Sequence, residues 1–245
     1  MIRAGRRGYG EGQPMTEHAG YGQFCPVAMA AEILCSRWTV LIVRELICGT
    51  TRFNDLRRGV PRMSPALLSK RLKELEQAGV IEAVRRNDGT VVEYQLTRSG
   101  RDLEPLVMGL GMWGQRWVES RLSLKNLDPS LLMWDMRRHL NPKPLPPRRC
   151  TIQFLYPELP TNRQSWWLVV DRGQVDLCNF DPGFDLDLLV TGDLRSMTAV
   201  WMGLAQIRGE IDAGRLAVDG DPTIANAMQQ WLGLSPFAPH ERQVA

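Results

Sequence analysis

From residue 26 onward, apolar side chains return at steps of three and four, so that Val27, Ala30, Leu34, Trp38, Leu41 and Ile42 share one face. That period predicts a single amphipathic helix. Pro26 suits its first position, where a missing N–H costs nothing, and Gly49 stops it. Thr51 is placed to cap a short helix over 52–58, which Gly59-Val60-Pro61 ends. Ser64-Pro65 is another start signal, and the helix it opens carries Leu68, Leu72 and Leu75 on one face before Gly79 closes it. Two β-prone runs, 80–86 and 91–96, flank Asn87-Asp88-Gly89-Thr90, and because Asp and Gly both tolerate positive φ a hairpin is predicted. Past Ser99-Gly100, a further helix places Leu103, Leu106, Leu110, Trp113 and Trp117 at steps of 3, 4, 3 and 4, a narrow seam that suits a partner helix. Gly109, Gly111 and Gly114 lie along it. Each weakens a lone helix by about 0.5–1 kcal/mol relative to Ala, which points to close backbone approach at a packed seam; a helix folded on its own domain is the alternative.

The second half has a different texture. Residues 124–149 hold one short helical pattern, 131–140, and then Asn141-Pro142-Lys143-Pro144-Leu145-Pro146-Pro147, which reads as a stiff extended linker. Strands are predicted over 150–156, over 165–170 and 175–180 as a hairpin around Asp171-Arg172-Gly173-Gln174, and over 184–191 with one face exposed. Asp193 caps a helix bearing Leu194, Met197, Trp201 and Leu204, 215–218 is a short strand, and Asp221-Pro222 opens a last helix with Ile224, Met228, Trp231 and Leu232. No internal repeat is found. The expected class is α+β, with residues 20–123 as a helical unit with a hairpin, 124–149 as helix and linker, 150–236 as a mixed domain and 237–245 as a tail.

Charge sharpens that division. Residues 1–149 carry 24 Lys+Arg against 15 Asp+Glu, a net +9, whereas residues 150–245 carry 6 against 12, a net −6. A basic front half suits a polyanionic partner that the acidic back half would repel. Five scattered cysteines without a Cys-x-x-Cys pair, and only three histidines, argue against a structural zinc site and a disulfide scaffold, and for a reducing, cytoplasmic setting. No apolar run approaches the roughly 18 residues of a membrane span. Residues 1–19 begin with a Gly- and Arg-rich stretch lacking a hydrophobic region, which reads as a disordered arm rather than a secretory signal; an upstream extension before a start at Met15 is the other reading.

With Leu68, Leu72 and Leu75 buried, Ala66, Ser69, Lys70, Lys73 and Gln77 fall on the opposite face of their helix at 100° per residue. Small and basic side chains near a helix start suit entry into a major groove about 12 Å wide. Ser64 at the cap and Arg57, Arg58 and Arg62 just before it, with Arg85 and Arg86 beside the hairpin turn, are candidates to hold phosphates. Any one of these is equally an ordinary solvated side chain; the ordered set of short helix, capped helix and basic hairpin is what points to double-stranded DNA and a winged helix. The chain here resembles HxlR-type (DUF24) winged helix-turn-helix regulators over roughly 23–122. The motifs that carry the likeness are Cys25-Pro26-Val27, Arg37-Trp38-Thr39-Val40-Leu41-Ile42, Arg52-Phe53-Asn54-Asp55-Leu56, Leu67-Leu68-Ser69-Lys70-Arg71-Leu72-Lys73-Glu74-Leu75 and Val92-Glu93-Tyr94-Gln95-Leu96-Thr97. The resemblance implies a homodimer on an inverted-repeat operator, joined through terminal helices. Two readings stand for Cys25: a small residue at a helix start, or a thiol favoured as thiolate by the helix dipole, since the similar position is redox-sensing in some members of the family.

Residues from about 150 to 234 resemble the sterol-carrier-protein fold. The likeness rests on Asp185-Leu186-Asp187-Leu188-Leu189-Val190-Thr191-Gly192-Asp193-Leu194, Val200-Trp201-Met202-Gly203-Leu204, Gly214-Arg215-Leu216-Ala217-Val218-Asp219-Gly220-Asp221 and a final helix through Trp231-Leu232. It implies an apolar small-molecule effector, with Trp166, Trp167, Met197, Trp201, Met228 and Trp231 as pocket candidates; core packing and a purely dimer-supporting domain are the alternatives. Gly-x-Ser-x-Gly, His-Glu-x-x-His and a phosphate-binding Gly-rich loop are absent, and Asp185 and Asp187 read as solvated, so no enzyme, cofactor or metal is expected. A lipid carrier retaining a vestigial winged helix, and a structural dimer, are the competing classes.

Overall fold

The computed structural model describes residues 20–119, 124 and 127–244. The arm expected over 1–19, with Met15, lies outside the described residues.

Helices α1 (Pro26–Leu34), α2 (Thr39–Ile47), α3 (Phe53–Gly59) and α4 (Pro65–Gln77) precede a hairpin of β1 (Ile81–Arg85) and β2 (Val91–Leu96). A one-turn α5 (Arg98–Arg101) leads into α6 (Glu104–Trp117). The expected single first helix is two, bent by 84°. Trp38 takes a left-handed backbone, φ 80°, and no helix passes through such a residue. Its side chain sits under the Arg37 guanidinium, 5.3 Å from the ring centroid, and the Arg37 carbonyl accepts from Arg71 Nε at 3.3 Å. The bend separates the apolar stripe: Ile42 is buried, whereas Val27 is exposed and α1 buries none of its residues. Thr51 does not cap α3; its Oγ1 donates to Glu93 at 3.3 Å and its carbonyl accepts from Tyr94 N at 2.8 Å, joining the helices to the hairpin. Of the two turn residues expected at positive φ, only Gly89 adopts it. Ile42, Leu56, Leu68, Leu72, Leu75 and Ile81 fill the core of this half.

Helix α7 (Pro129–His139) was expected within a linker, and the structure packs it on both sides. Leu132, Met133 and Met136 belong to the second core, while Trp134 and Arg138 reach back to α2. The proline run is likewise laid on the domain: Leu145 is buried and Asn141 N donates to Trp231 O at 2.8 Å. Tertiary contacts, rather than propensity, decide both segments.

The second half is a five-stranded sheet in the order β5-β4-β3-β6-β7, with β3 (Cys150–Leu155), β4 (Ser165–Asp171), β5 (Gln174–Cys178), β6 (Leu188–Gly192) and β7 (Leu216–Gly220). Only the central β3 and β6 run parallel. Helix α8 (Leu194–Trp201), capped by Asp193, and α9 (Ile207–Asp212) fill the β6–β7 connection, and α9 had no sequence forecast. The predicted last helix is two short pieces, α10 (Pro222–Asn226) and α11 (Met228–Trp231). The strand expected from 184 starts at Leu188, because Asp187 turns inward: its Oδ2 accepts from Thr151 N at 2.8 Å and its Oδ1 pairs with Arg148 at 2.6 Å. It is not a solvated residue. Asp185 is exposed. The segment expected as a free tail clasps α6 instead, through Gln243 N to Arg116 O at 2.9 Å, Arg242 to Val118 O, and the Phe237 ring.

Candidate nucleic-acid interface

Ser64 accepts from Leu67 N at 3.3 Å, so its hydroxyl satisfies one of the open donors at the start of α4 and fixes where the helix begins. With Leu68, Leu72 and Leu75 buried, the register of α4 turns Ala66, Ser69, Lys70 and Lys73 to solvent. Lys70 lies 3.9 Å from Glu74, a distance that leaves its ammonium available to another anion. Lys73 has no ion-pair partner among the described residues. Arg57 and Arg62 are exposed at the end of α3 and in the turn before α4.

Arg58 and Arg85, among the expected phosphate holders, have internal work. Arg58 pairs with Asp55 at 3.5 Å and stacks 5.4 Å from the Trp134 ring centroid, so it serves the contact between α3 and α7. Arg85 donates to both oxygens of Glu76, at 2.8 and 3.1 Å, and holds that carboxyl below the usual carboxylate range. This fork ties β1 to the last turn of α4 and so fixes the angle between hairpin and helix. Arg86, exposed beside the turn, has no such partner among the described residues.

The base of the hairpin is fastened by side chains. Thr97 and Ser99 hydroxyls donate to Gly79 O at 2.6 and 2.7 Å, closing the end of α4 against α5. At Gly100 a Cβ would stand 2.1 Å from Val80 O, so the chain can cross there only without a side chain.

On α6, Leu106, Leu110, Trp113 and Trp117 form an exposed stripe, with Trp113 at 60% exposure. Leu103 does not join it, packing into the core of its own half. Gly109 and Gly114 meet nothing within 4 Å; Gly111 is where Phe237 packs, so at that glycine the close approach is made by the chain's own C-terminus. Cys25 stands exposed at the N-cap of α1, and all five cysteines are free thiols.

A helix-turn-helix family model, described as HxlR-like, matches residues 33–122. An uncharacterized HTH-type transcriptional regulator of Bacillus subtilis, YvaP, is 36% identical over 99 residues, which span 40% of this chain and 92% of that protein. The chain belongs to the HxlR-like helix-turn-helix family. Similar to it as well is the Mycobacterium tuberculosis regulator Rv3095, 39% identical over 38% of this chain and 58% of its own length. Among solved structures, the reduced form of the transcriptional regulator YodB from Bacillus subtilis shares 30% identity over 40% of this chain and 98% of its own, with a TM-score of 0.35. The family model and the curated relatives place the chain among winged-helix transcriptional regulators, on its N-terminal part.

Beyond the helix-turn-helix, the pocket candidates fall mostly inside the core. Met197, Trp201, Met228 and Trp231 are buried, and the Trp231 indole donates to Ile224 O at 2.8 Å. Trp166 is buried with its N–H on Arg163 O, and Trp167 is half-buried. Met228 borders an open cavity of about 820 Å³ with Ile207, Ile211 and Val218. Trp201 borders another of about 290 Å³ at the junction of the two halves; Trp167, Met197 and Trp231 line neither. Among the described residues no group of His, Cys, Asp and Glu could hold a metal ion, and no single helix is long and apolar enough to cross a membrane.

Sequence reasoning missed Glu45. It is wholly buried on α2, where it accepts from Arg44 (2.6 Å), from both Nη atoms of Arg138 (3.0 Å each) and from Trp134 Nε1 (3.2 Å). The available signal was a carboxylate beside Ile42, Val43 and Leu46 on a buried face, since an acidic side chain there requires donors brought from elsewhere.

Proposed function

We propose that this HxlR-like protein binds double-stranded DNA as a homodimer, laying α4 in the major groove and the β1–β2 hairpin along the adjacent backbone. The observation that carries the reading is the solvent face of α4, small at its capped start and basic at Lys70 and Lys73, beside a hairpin whose angle Arg85 sets. Backbone contacts fall to Arg57, Arg62 and Arg86. In a symmetric pair joined along Leu106, Leu110, Trp113 and Trp117, the two α4 helices stand about 34 Å apart and read an inverted-repeat operator. The protein acts as a cytoplasmic regulator, not an enzyme. Its second half, on the sterol-carrier likeness, takes an apolar effector, and the cavity beside Met228 supports that assignment.

Selection from a random duplex library tests the reading. The protein is expected to enrich an inverted repeat, and Lys70→Ala with Lys73→Ala is expected to abolish that binding while leaving the circular dichroism spectrum unchanged. Undiminished affinity in the double variant would falsify the assignment of α4. The exposure of Cys25 at a helix start favours a second reading, thiol control of DNA binding. In that case Cys25→Ser removes the response to oxidant; a response that persists in this variant sinks it.

A further inference from the structure

The junction cavity is walled by both halves. Ile47 comes from α2, Met108 from α6, Leu131 from α7, Trp201 from α8 and Phe237 from the C-terminal strap. We infer that this cavity is a second regulatory site, separate from the cavity beside Met228, and that it takes a compact, uncharged, mainly apolar molecule. Its regulatory part rests on the DNA-binding reading above; the site itself does not.

The lining decides the ligand class. Its charged groups are already matched: Arg44 with Glu45, Arg138 with Glu45 and Asp135, Asp128 with Arg163. A charged ligand would lose its hydration without gaining a counter-ion, which disfavours it. Leu131, Met108, Trp201 and Phe237 supply apolar walls. At about 290 Å³ the space is near the lower bound of small-molecule pockets, hence the compact ligand.

The position decides the consequence. Val107 and Met108 are on the helix whose outer stripe is proposed to join two copies, and Arg44 and Ile47 are on the helix packed against α3. Filling the space from within shifts α6 relative to α7, and so changes the separation of the two α4 helices that adjacent grooves demand.

The test uses the full chain and prodan, an uncharged naphthyl ketone whose emission reports both apolar surroundings and hydrogen bonding to its carbonyl. One molecule per chain is expected to bind with blue-shifted emission. Cys48, which lines the cavity and is exposed, is expected to lose reactivity toward N-ethylmaleimide in peptide-mapped mass spectra. Leu131→Trp, and Ile47→Trp as a second filling variant, each checked for fold by circular dichroism, are expected to weaken prodan about tenfold. Ile211→Trp, in the larger cavity, is expected to leave it unchanged. Absence of saturable binding, unprotected Cys48, or loss in Ile211→Trp alone overturns the site. In the second arm, prodan is expected to shift affinity for the selected duplex by about fivefold or more. An unshifted affinity overturns the regulatory role alone, and a protein that selects no duplex overturns the DNA-binding reading while the first arm still judges the site.

Discussion

A carboxylate taken out of water has to be surrounded by donors, and Glu45 receives them from three residues of which two, Trp134 and Arg138, are some ninety positions away. Burial pushes its pKa up, but the Arg44 and Arg138 guanidinium groups outweigh that and hold it below the ordinary glutamate range. Gly59 is read from the sequence as a helix stop, yet its φ is unremarkable; a Cβ there would lie 1.9 Å from a Glu45 oxygen, so what it supplies is space. Removing one partner of such a group leaves the other charge buried and unmatched. Glu45→Gln is therefore expected to cost about 3–5 kcal/mol, measured by urea unfolding, and Arg138→Met to cost a similar amount without the two adding. The sign with pH follows from the lowered folded pKa. The contribution is complete above the ordinary carboxylate range and is lost as pH falls through the folded value. Unfolding series from about pH 7 to about pH 3 should show a steeper acid loss in the wild type than in Glu45→Gln; parallel slopes would count against this account. Among the thiols, burial pushes Cys150 up to about 12, so it should stay unmodified in the folded protein while exposed Cys25 reacts.

At the scale of elements, legibility tracks how local the cause is. The start of α4, its buried leucines and the hairpin turn are set by side chains within a few residues of one another, and all three could be read from the sequence. The bend at Trp38 could not, because a period of three and four persists on paper through a residue that leaves the helix. Likewise Pro129–His139 carries an ordinary short helical pattern, and nothing local says that Trp134 and Arg138 reach α2 while Met133 and Met136 enter the other core. The strap over α6 belongs to the same class: Gly111 announces a close approach, but not that Phe237 makes it. Gly111→Val places methyl groups where the Phe237 ring lies, and overpacking of this kind typically costs about 1–3 kcal/mol. A lowered Tm is expected, with partial recovery on adding Phe237→Ala. A double variant no more stable than Gly111→Val would place the strain elsewhere.

For the molecule as a whole, the charge imbalance between the halves has two destinations. Arg138, Arg148 and Arg149, all counted toward the basic front, are neutralised internally by Glu45, Asp187 and Asp171. Arg57 on α3, Lys70 and Lys73 on α4 and Arg86 at the hairpin turn remain exposed to a polyanion. The apolar surface is divided in the same way, for the outer faces of α1 and α6 leave Val27, Met29, Leu106, Leu110, Trp113 and Trp117 exposed beyond what isolated surface residues explain. If a second copy covers this surface, then Leu110→Glu with Trp113→Glu places charge on a face that must desolvate. Sedimentation should find the variant monomeric where the parent is a dimer. Because Leu110 and Trp113 are outside both cores, its unfolding midpoint should change little. Its affinity for an inverted repeat should fall toward that for a single half-site, as each α4 must then bind without its neighbour's help. A variant that remains dimeric, or a parent that sediments as a monomer at concentrations where it occupies the full repeat, would separate DNA binding from this face of α6.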